Sequence, residues 1–216
     1  MDPNRYYRGN GQDKIYRMKV IFLDIDGVLN HQEWYQKRAD LVDQNEISSH
    51  YPFYEFDPES VDLLNYIIDK TGAKVVISST WRIGRSPKDL QETLDHVGFT
   101  GEVIDTTPHF SARGFDNMGE KIGYSVPRGC EIDWWLEKHG NFQRINWSRE
   151  VQQEYLDKAK VKNYVILDDD SDMLFNQREH FVKTYTMHGL TKERADMAIE
   201  ILNKPLIDLY YNHEEF

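Results

Sequence analysis

Three short apolar runs in this chain each end in a cluster of polar residues, and that repeated junction limits the folds open to it. The first, Lys19-Val20-Ile21-Phe22-Leu23, closes on Asp24-Ile25-Asp26-Gly27-Val28. The second, Ala73 to Ile77, runs into Ser78-Ser79-Thr80, and the third, Tyr164 to Leu167, into Asp168-Asp169-Asp170. Short runs like these, apolar apart from Lys19 and Lys74 near their starts, read as strands buried on both faces, which is the habit of parallel sheets. Helical patterns separate them. Asp57-Pro58-Glu59 is a helix start, Val61, Leu64, Ile67 and Ile68 make its apolar face, and Gly72 ends it. Ser86-Pro87 opens a second helix carrying Leu90, Leu94 and Val97 before Gly98. Further helices are expected at about 129–138, 148–160 and 191–202, with short strands at 102–104 and 181–184. Residues 28–56 read as loops and short helices, and 109–127 as irregular. Strands alternating with helices predict a mainly parallel sheet covered on both faces, with its ligand site beyond the carboxyl ends of the strands.

The polar clusters lie at those carboxyl ends. Asp24 and Asp26 are two residues apart in extended chain, so both side chains leave on roughly the same side. Adjacent carboxylates repel unless a cation or a shared proton intervenes. The pair therefore suggests a hard-metal site, a nucleophile with an acid/base partner, or both. Asp168, Asp169, Asp170 and Asp172 offer oxygen-only ligation, which suits magnesium. If the first and last of the three runs are neighbours, Asp24 and Asp168 or Asp169 can share one ion. Asp170, Ser171 or Asp172 is expected instead to cap a helix around 173–176. Ser78, Ser79 and Thr80 place small hydroxyls where a phosphate could be held. Arg82, Arg85 and Lys88 extend that anion site, and Arg128 can balance carboxylates and phosphate together.

Composition narrows the partners. With 216 residues and 39% hydrophobic content the chain can bury a real core, and it reads as a tail over 1–17 followed by one domain over 18–216. No apolar run approaches the length of a membrane span, and the single Cys130 can form no internal disulfide, so a cytoplasmic setting is expected. The formal net charge of −11 argues against a protein that coats long nucleic acid. A small phosphorylated molecule, or a nucleic-acid terminus met by a local basic patch, fits better.

The ordered set Asp-x-Asp-Gly-Val, strand-Ser-Ser-Thr, a basic residue and strand-Asp-Asp resembles the haloacid dehalogenase superfamily of phosphohydrolases. In detail, Phe22 to Asn30, Ser79-Thr80-Trp81-Arg82, Arg128-Gly129-Cys130-Glu131-Ile132, Val165 to Met173 and Gly189-Leu190-Thr191 resemble the branch found in multi-part RNA repair proteins. The resemblance covers residues 19 to about 203. It implies a Rossmann-like three-layer α/β sandwich with a mostly parallel central sheet and a small or absent cap. It also implies a Mg2+-dependent phosphomonoesterase in which Asp24 is the nucleophile that becomes an aspartyl-phosphate. Asp26 would be the general acid and base, and Ser79 the phosphate ligand, with Ser78 as the register alternative and Thr80 and Arg82 assisting. Arg128 would supply the cation of the third motif, with Lys121 as a fallback. Magnesium would be held by Asp24, the backbone carbonyl of Asp26 and Asp169, with Asp168 in support.

A carboxylic acid at Asp26 favours phosphoryl chemistry over dehalogenation within that superfamily. The candidate cap segments, 30–56 and 105–127, are short, which leaves the cleft open for a bulky substrate. Trp34, Tyr35, Tyr51, Phe53, Tyr54 and Phe56 can stack on bases or pack onto the core. Trp134, Trp135 and Trp147 read as core and helix contacts. The expected activity is hydrolysis of nucleotide or polynucleotide terminal phosphates. The alternatives are a phosphatase or phosphotransferase for a small metabolite, and a non-catalytic phosphate-binding module.

Overall fold

Val20, Ile21, Phe22 and Leu23 have no exposed surface because their strand, β1 (Met18–Leu23), is the middle of a five-stranded sheet. In chain order the strands are β1, β2 (Lys74–Ile77), β3 (Val103–Thr106), β4 (Ser111–Phe115), β5 (Lys121–Ser125), β6 (Val161–Asp168) and β7 (Phe181–Lys183). The sheet runs β3-β2-β1-β6-β7, with every pairing parallel. The computed structural model describes residues 18–44, 55–115, 118, 121–140, 150, 153 and 159–205. The expected tail over 1–17, most of the expected helix over 148–160, and Tyr51, Phe53, Tyr54 and Trp147 lie outside them.

Alternation along each strand divides the core in two. Ile21, Leu23, Val75, Ile77, Val165 and Leu167 face one layer of helices: α2 (Pro58–Thr71), α3 (Pro87–His96) and α5 (Lys192–Asn203). Val20, Phe22, Val76, Tyr164 and Ile166 face α4 (Arg128–Gly140), which inserts Ile132, Trp135 and Leu136. Phe22 sits edge-on to both Trp135 and Tyr164, with ring centroids 5.3 and 5.8 Å away. Truncating such a ring to alanine costs about 3–5 kcal/mol.

Local signals explain the helix ends. The Asp57 carboxylate accepts from the Glu59 and Ser60 amides, Pro58 occupies the first turn, and Gly72 closes α2 at φ +65°. Ser86 and Asp89 form a reciprocal capping box at α3.

Three expectations need correction. Residues 109–127 are not irregular throughout: β4 and β5 pair antiparallel, from Ser111↔Ser125 to Phe115↔Lys121, as a hairpin separate from the main sheet. Its Gly- and Ser-rich sequence carries no apolar run of the kind that marks the central strands, and the pairing is made backbone to backbone. Next, α1 (Gln32–Asp43) is twelve residues long although weakly periodic, because Trp34 is the residue it buries. The helix expected at 173–176 is a 3-10 segment at Phe175–His180, and no acidic side chain caps it. The Asp172 carboxylate instead accepts from the Arg128 amide at 2.7 Å, capping α4 from a distance.

Candidate active site

The sheet ladder continues one step past the strands and brings four strand ends to a common level. The Asp24 amide donates to Leu167 O (2.9 Å), Ser78 to Leu23 O (2.9 Å), Thr107 to Ile77 O (3.0 Å) and Thr184 to Asp168 O (2.9 Å). The chain leaves β1 toward β2 on one side and returns to β6 on the other. The crevice at this reversal is where open α/β sheets bind ligands.

Carboxylates converge there. One oxygen each from Asp24, Asp168 and Asp169 lies within 4.8 Å of the others. Asp24 accepts the Ile25 amide at 2.7 Å and the Ser79 hydroxyl, and Arg128 Nη2 stands 3.8 Å from its Oδ2. Burial pushes the Asp24 carboxyl up, while Arg128 and the two hydrogen bonds pull it down. Asp168 is pushed up to about 8, first by burial and then by the charge of Asp24. Asp169 is held by the Thr186 hydroxyl at 2.5 Å and lies against Gly27. A Cβ on Gly27 would stand 2.2 Å from Asp169 Cγ, and its φ of +72° also favours glycine. The required close approach explains the glycine directly after Asp26.

This donor set fits a hard cation. All three side chains offer oxygen, and two of them are buried in mutual repulsion. Asp168 Oδ2 and Arg128 Nη1 are buried without a hydrogen-bond partner among the described residues. Polar atoms in that state favour a ligand of opposite charge.

Asp26 is exposed and points elsewhere in the crevice. Asn30 Nδ2 donates to its Oδ1 at 2.8 Å, and Trp81 Nε1 reaches Oδ2 at 3.0 Å and Oδ1 at 3.2 Å. Ser79 is fully buried beside Asp24, whereas the buried Ser78 hydroxyl has no partner among the described residues. Of the two serines, Ser79 is the one bonded to Asp24. Thr80 is exposed at the start of a short 3-10 turn, Thr80–Arg82.

Arg82 does not join them. Its guanidinium is buried and donates to the carbonyls of Ser78, Ser79, Thr107 and Pro108 and to the Glu131 carboxylate. Those five bonds use every donor an arginine has. Arg82 is thus a clamp behind the serine turn rather than an open phosphate ligand. Arg85 and Lys88 are exposed, and the Lys121 side chain lies outside the described residues. Gly129 explains why Arg128 reaches Asp24: a Cβ there would meet the Leu174 amide at 2.4 Å, so α4 docks its first turn on the loop after β6.

Trp81, Asn30 and Glu131 carry roles that sequence reasoning missed. Glu131 had a readable signal. It shares an inward helical stripe with Arg128, Ile132 and Trp135, where an acid needs a buried partner. Trp135 is core as expected, but Trp134 is partly exposed and edge-on to Phe110.

A parallel sheet with paired acids at the ends of its two central strands, and a hydroxyl turn on the third, defines a Rossmann-like phosphohydrolase. Residues 20–195 match the family described as the HAD (haloacid dehalogenase) domain in Swiss Army Knife RNA repair proteins, and the chain belongs to that family. Comparison with curated proteins and with solved structures returns no match. No described helix is long and apolar enough to cross a membrane.

Proposed function

We propose that the protein is a magnesium-dependent phosphomonoesterase that works through an aspartyl-phosphate on Asp24 and acts on terminal phosphates of nucleotides or polynucleotides. The observation that carries this reading is the convergence of Asp24, Asp168 and Asp169 within 4.8 Å, with Arg128 beside Asp24. Asp24, Asp169 and the backbone carbonyl of Asp26 would hold the ion, with Asp168 supporting them. Bound magnesium would screen the repulsion between an anionic nucleophile and an anionic phosphate.

The chain's own residues supply the rest. Asp24 attacks phosphorus as the bond to the leaving oxygen breaks, and Asp26 gives that oxygen its proton. Asp26 then takes a proton from water, whose oxygen displaces Asp24 and releases inorganic phosphate. Ser79 and Arg128 bind the phosphoryl oxygens and hold Asp24 in line. Ser78 and Thr80 border the same turn. The family's place in RNA repair supports a nucleic-acid terminus as substrate. The net charge of −11 supports contact with a short end rather than a long duplex.

Phosphate release from a panel of an aryl phosphate, nucleoside monophosphates and oligonucleotides phosphorylated at either end tests the reading. Turnover with Mg2+ that is lost with EDTA and with Asp24→Asn supports it. Preference for a small sugar phosphate over every nucleotide would replace the substrate class. No turnover by folded, Mg2+-bound protein would overturn the hydrolase reading.

A further inference from the structure

The acid/base assigned to Asp26 sits on an exposed loop turn, where a carboxylate has many rotamers to choose from. Productive proton transfer needs it in one. Two side chains limit that freedom. Asn30 reaches Oδ1 at 2.8 Å while its own Oδ1 accepts the Gly27 amide at 3.1 Å, which ties it to the turn. The second comes from across the crevice. Trp81 directs its indole N–H at both carboxylate oxygens, 3.0 and 3.2 Å away.

Trp81 is itself held on two sides. Phe56 packs against it with ring centroids 5.2 Å apart at 66°, and the Arg85 guanidinium lies 5.3 Å above the ring. Its backbone begins in the turn that Arg82 clamps, and its amide reaches Ser79 Oγ at 3.4 Å. One short segment therefore carries both the hydroxyl beside the nucleophile and the donor on the acid.

We propose that Trp81 is a positioning residue for the general acid: its indole N–H holds the Asp26 carboxyl in place and stabilises the charge that appears there. This rests on the hydrolase reading above. In the first half-reaction the Asp26 proton passes to the leaving oxygen, the P–O bond to that oxygen breaks, and the P–O bond to Asp24 forms. Negative charge grows on Asp26 as the proton departs. A hydrogen bond strengthens as its acceptor becomes charged, so the Trp81 bond is worth more in the transition state than before it. The indole has no acceptor nitrogen and cannot take the proton itself.

The dependence on leaving group separates positioning from bulk structure. A phenolate with strong electron withdrawal leaves without a proton, whereas an alkoxide needs one. Trp81→Phe keeps an aromatic ring on Phe56 and removes only the N–H donor. With Mg2+ present, kcat/KM reports phosphoryl transfer to Asp24. Trp81→Phe is expected to lower it by about tenfold to a hundredfold for an alkyl phosphate, the range a bond to a charged group supports. For nitrophenyl phosphate the loss is expected to stay within about threefold. In an Asp26→Asn background the same substitution is expected to add little, because the two changes remove one interaction. Equal losses on both substrates, full additivity with Asp26→Asn, or no loss at all would overturn the proposal. Wild-type turnover that does not need Asp26 on the alkyl ester would instead overturn the acid assignment beneath it.

Discussion

Glu131 and Arg82 form an ion pair buried from solvent on both sides, and it joins the helix that carries Arg128 to the turn that carries Ser79. Glu131 also accepts the Phe110 amide at 2.8 Å, so the segment leading into β4 is tied to the same point. Glu131→Ala would leave the Arg82 charge buried and unpaired. A loss of about 3–5 kcal/mol in unfolding free energy is expected by denaturant titration. Replacing both partners, as Arg82→Met with Glu131→Leu, should recover little of that stability, since the Thr107 and Pro108 carbonyls and the Phe110 amide would also be left without their partners. Turnover should not recover, because the Ser78 and Ser79 carbonyls would lose their donor.

Gly27 allows no side chain. In Gly27→Ala a Cβ would occupy the space of the Asp169 carboxylate, and a φ of +72° disfavours alanine. The backbone part alone is worth about 1–3 kcal/mol. Magnesium affinity by calorimetry should fall further than stability does, since Asp169 must move away from Asp24 and Asp168.

Asp168 gives the metal-free protein a distinctive pH response. Its carboxyl rises from 3.8 to about 8 on folding, so between those values the folded chain keeps a proton that the unfolded chain has released. Folded protein binding more protons means that stability falls as pH rises through this window. Thermal melts in EDTA should show that decline, and Asp168→Asn should flatten it. Magnesium competes with the proton, so its stabilising effect is expected to be larger at pH 8 than at pH 5.

The two aspartates after β1 should fail differently. Asp24→Asn removes the proposed nucleophile and is expected to cost roughly a thousandfold or more in turnover on every substrate. Asp26→Asn should spare phosphoryl transfer to Asp24 from esters with good leaving groups while slowing the attack of water on the intermediate. Acid-quenched Asp26→Asn protein should therefore carry phosphate on the peptide containing Asp24, visible by mass spectrometry.

Much of this arrangement is legible in the chain because burial and chemistry coincide at the strand ends. The stretches 20–23, 75–77 and 164–167, just before Asp24, Ser78 and Asp168, are apolar throughout, and they are neighbours in the sheet. Arg82 was misread because an arginine that grips a phosphate and one that grips carbonyls look the same in sequence. Only its place behind the turn, facing Glu131, separates them. The hairpin of β4 and β5 escaped because Ser-Ala-Arg-Gly-Phe and Lys-Ile-Gly-Tyr-Ser contain no apolar run to mark them as strands. Trp81 escaped for another reason: its bond to Asp26 joins residues 55 apart in the chain and leaves no local spacing.

The pairing of β1 with β6 has a kinetic consequence. Met18 meets Val161 and Leu23 meets Leu167, so the central contact of the sheet closes a loop comprising most of the chain. Such a closure carries a large entropic cost and is slow to find. On the ribosome, β1 emerges before β6 and must wait for it before its second edge is covered. Asp24 and Asp168 cannot meet until then. If these aspartates hold an ion as proposed, its binding reports completed folding, and a chain that ends before β6 lacks the proposed metal centre.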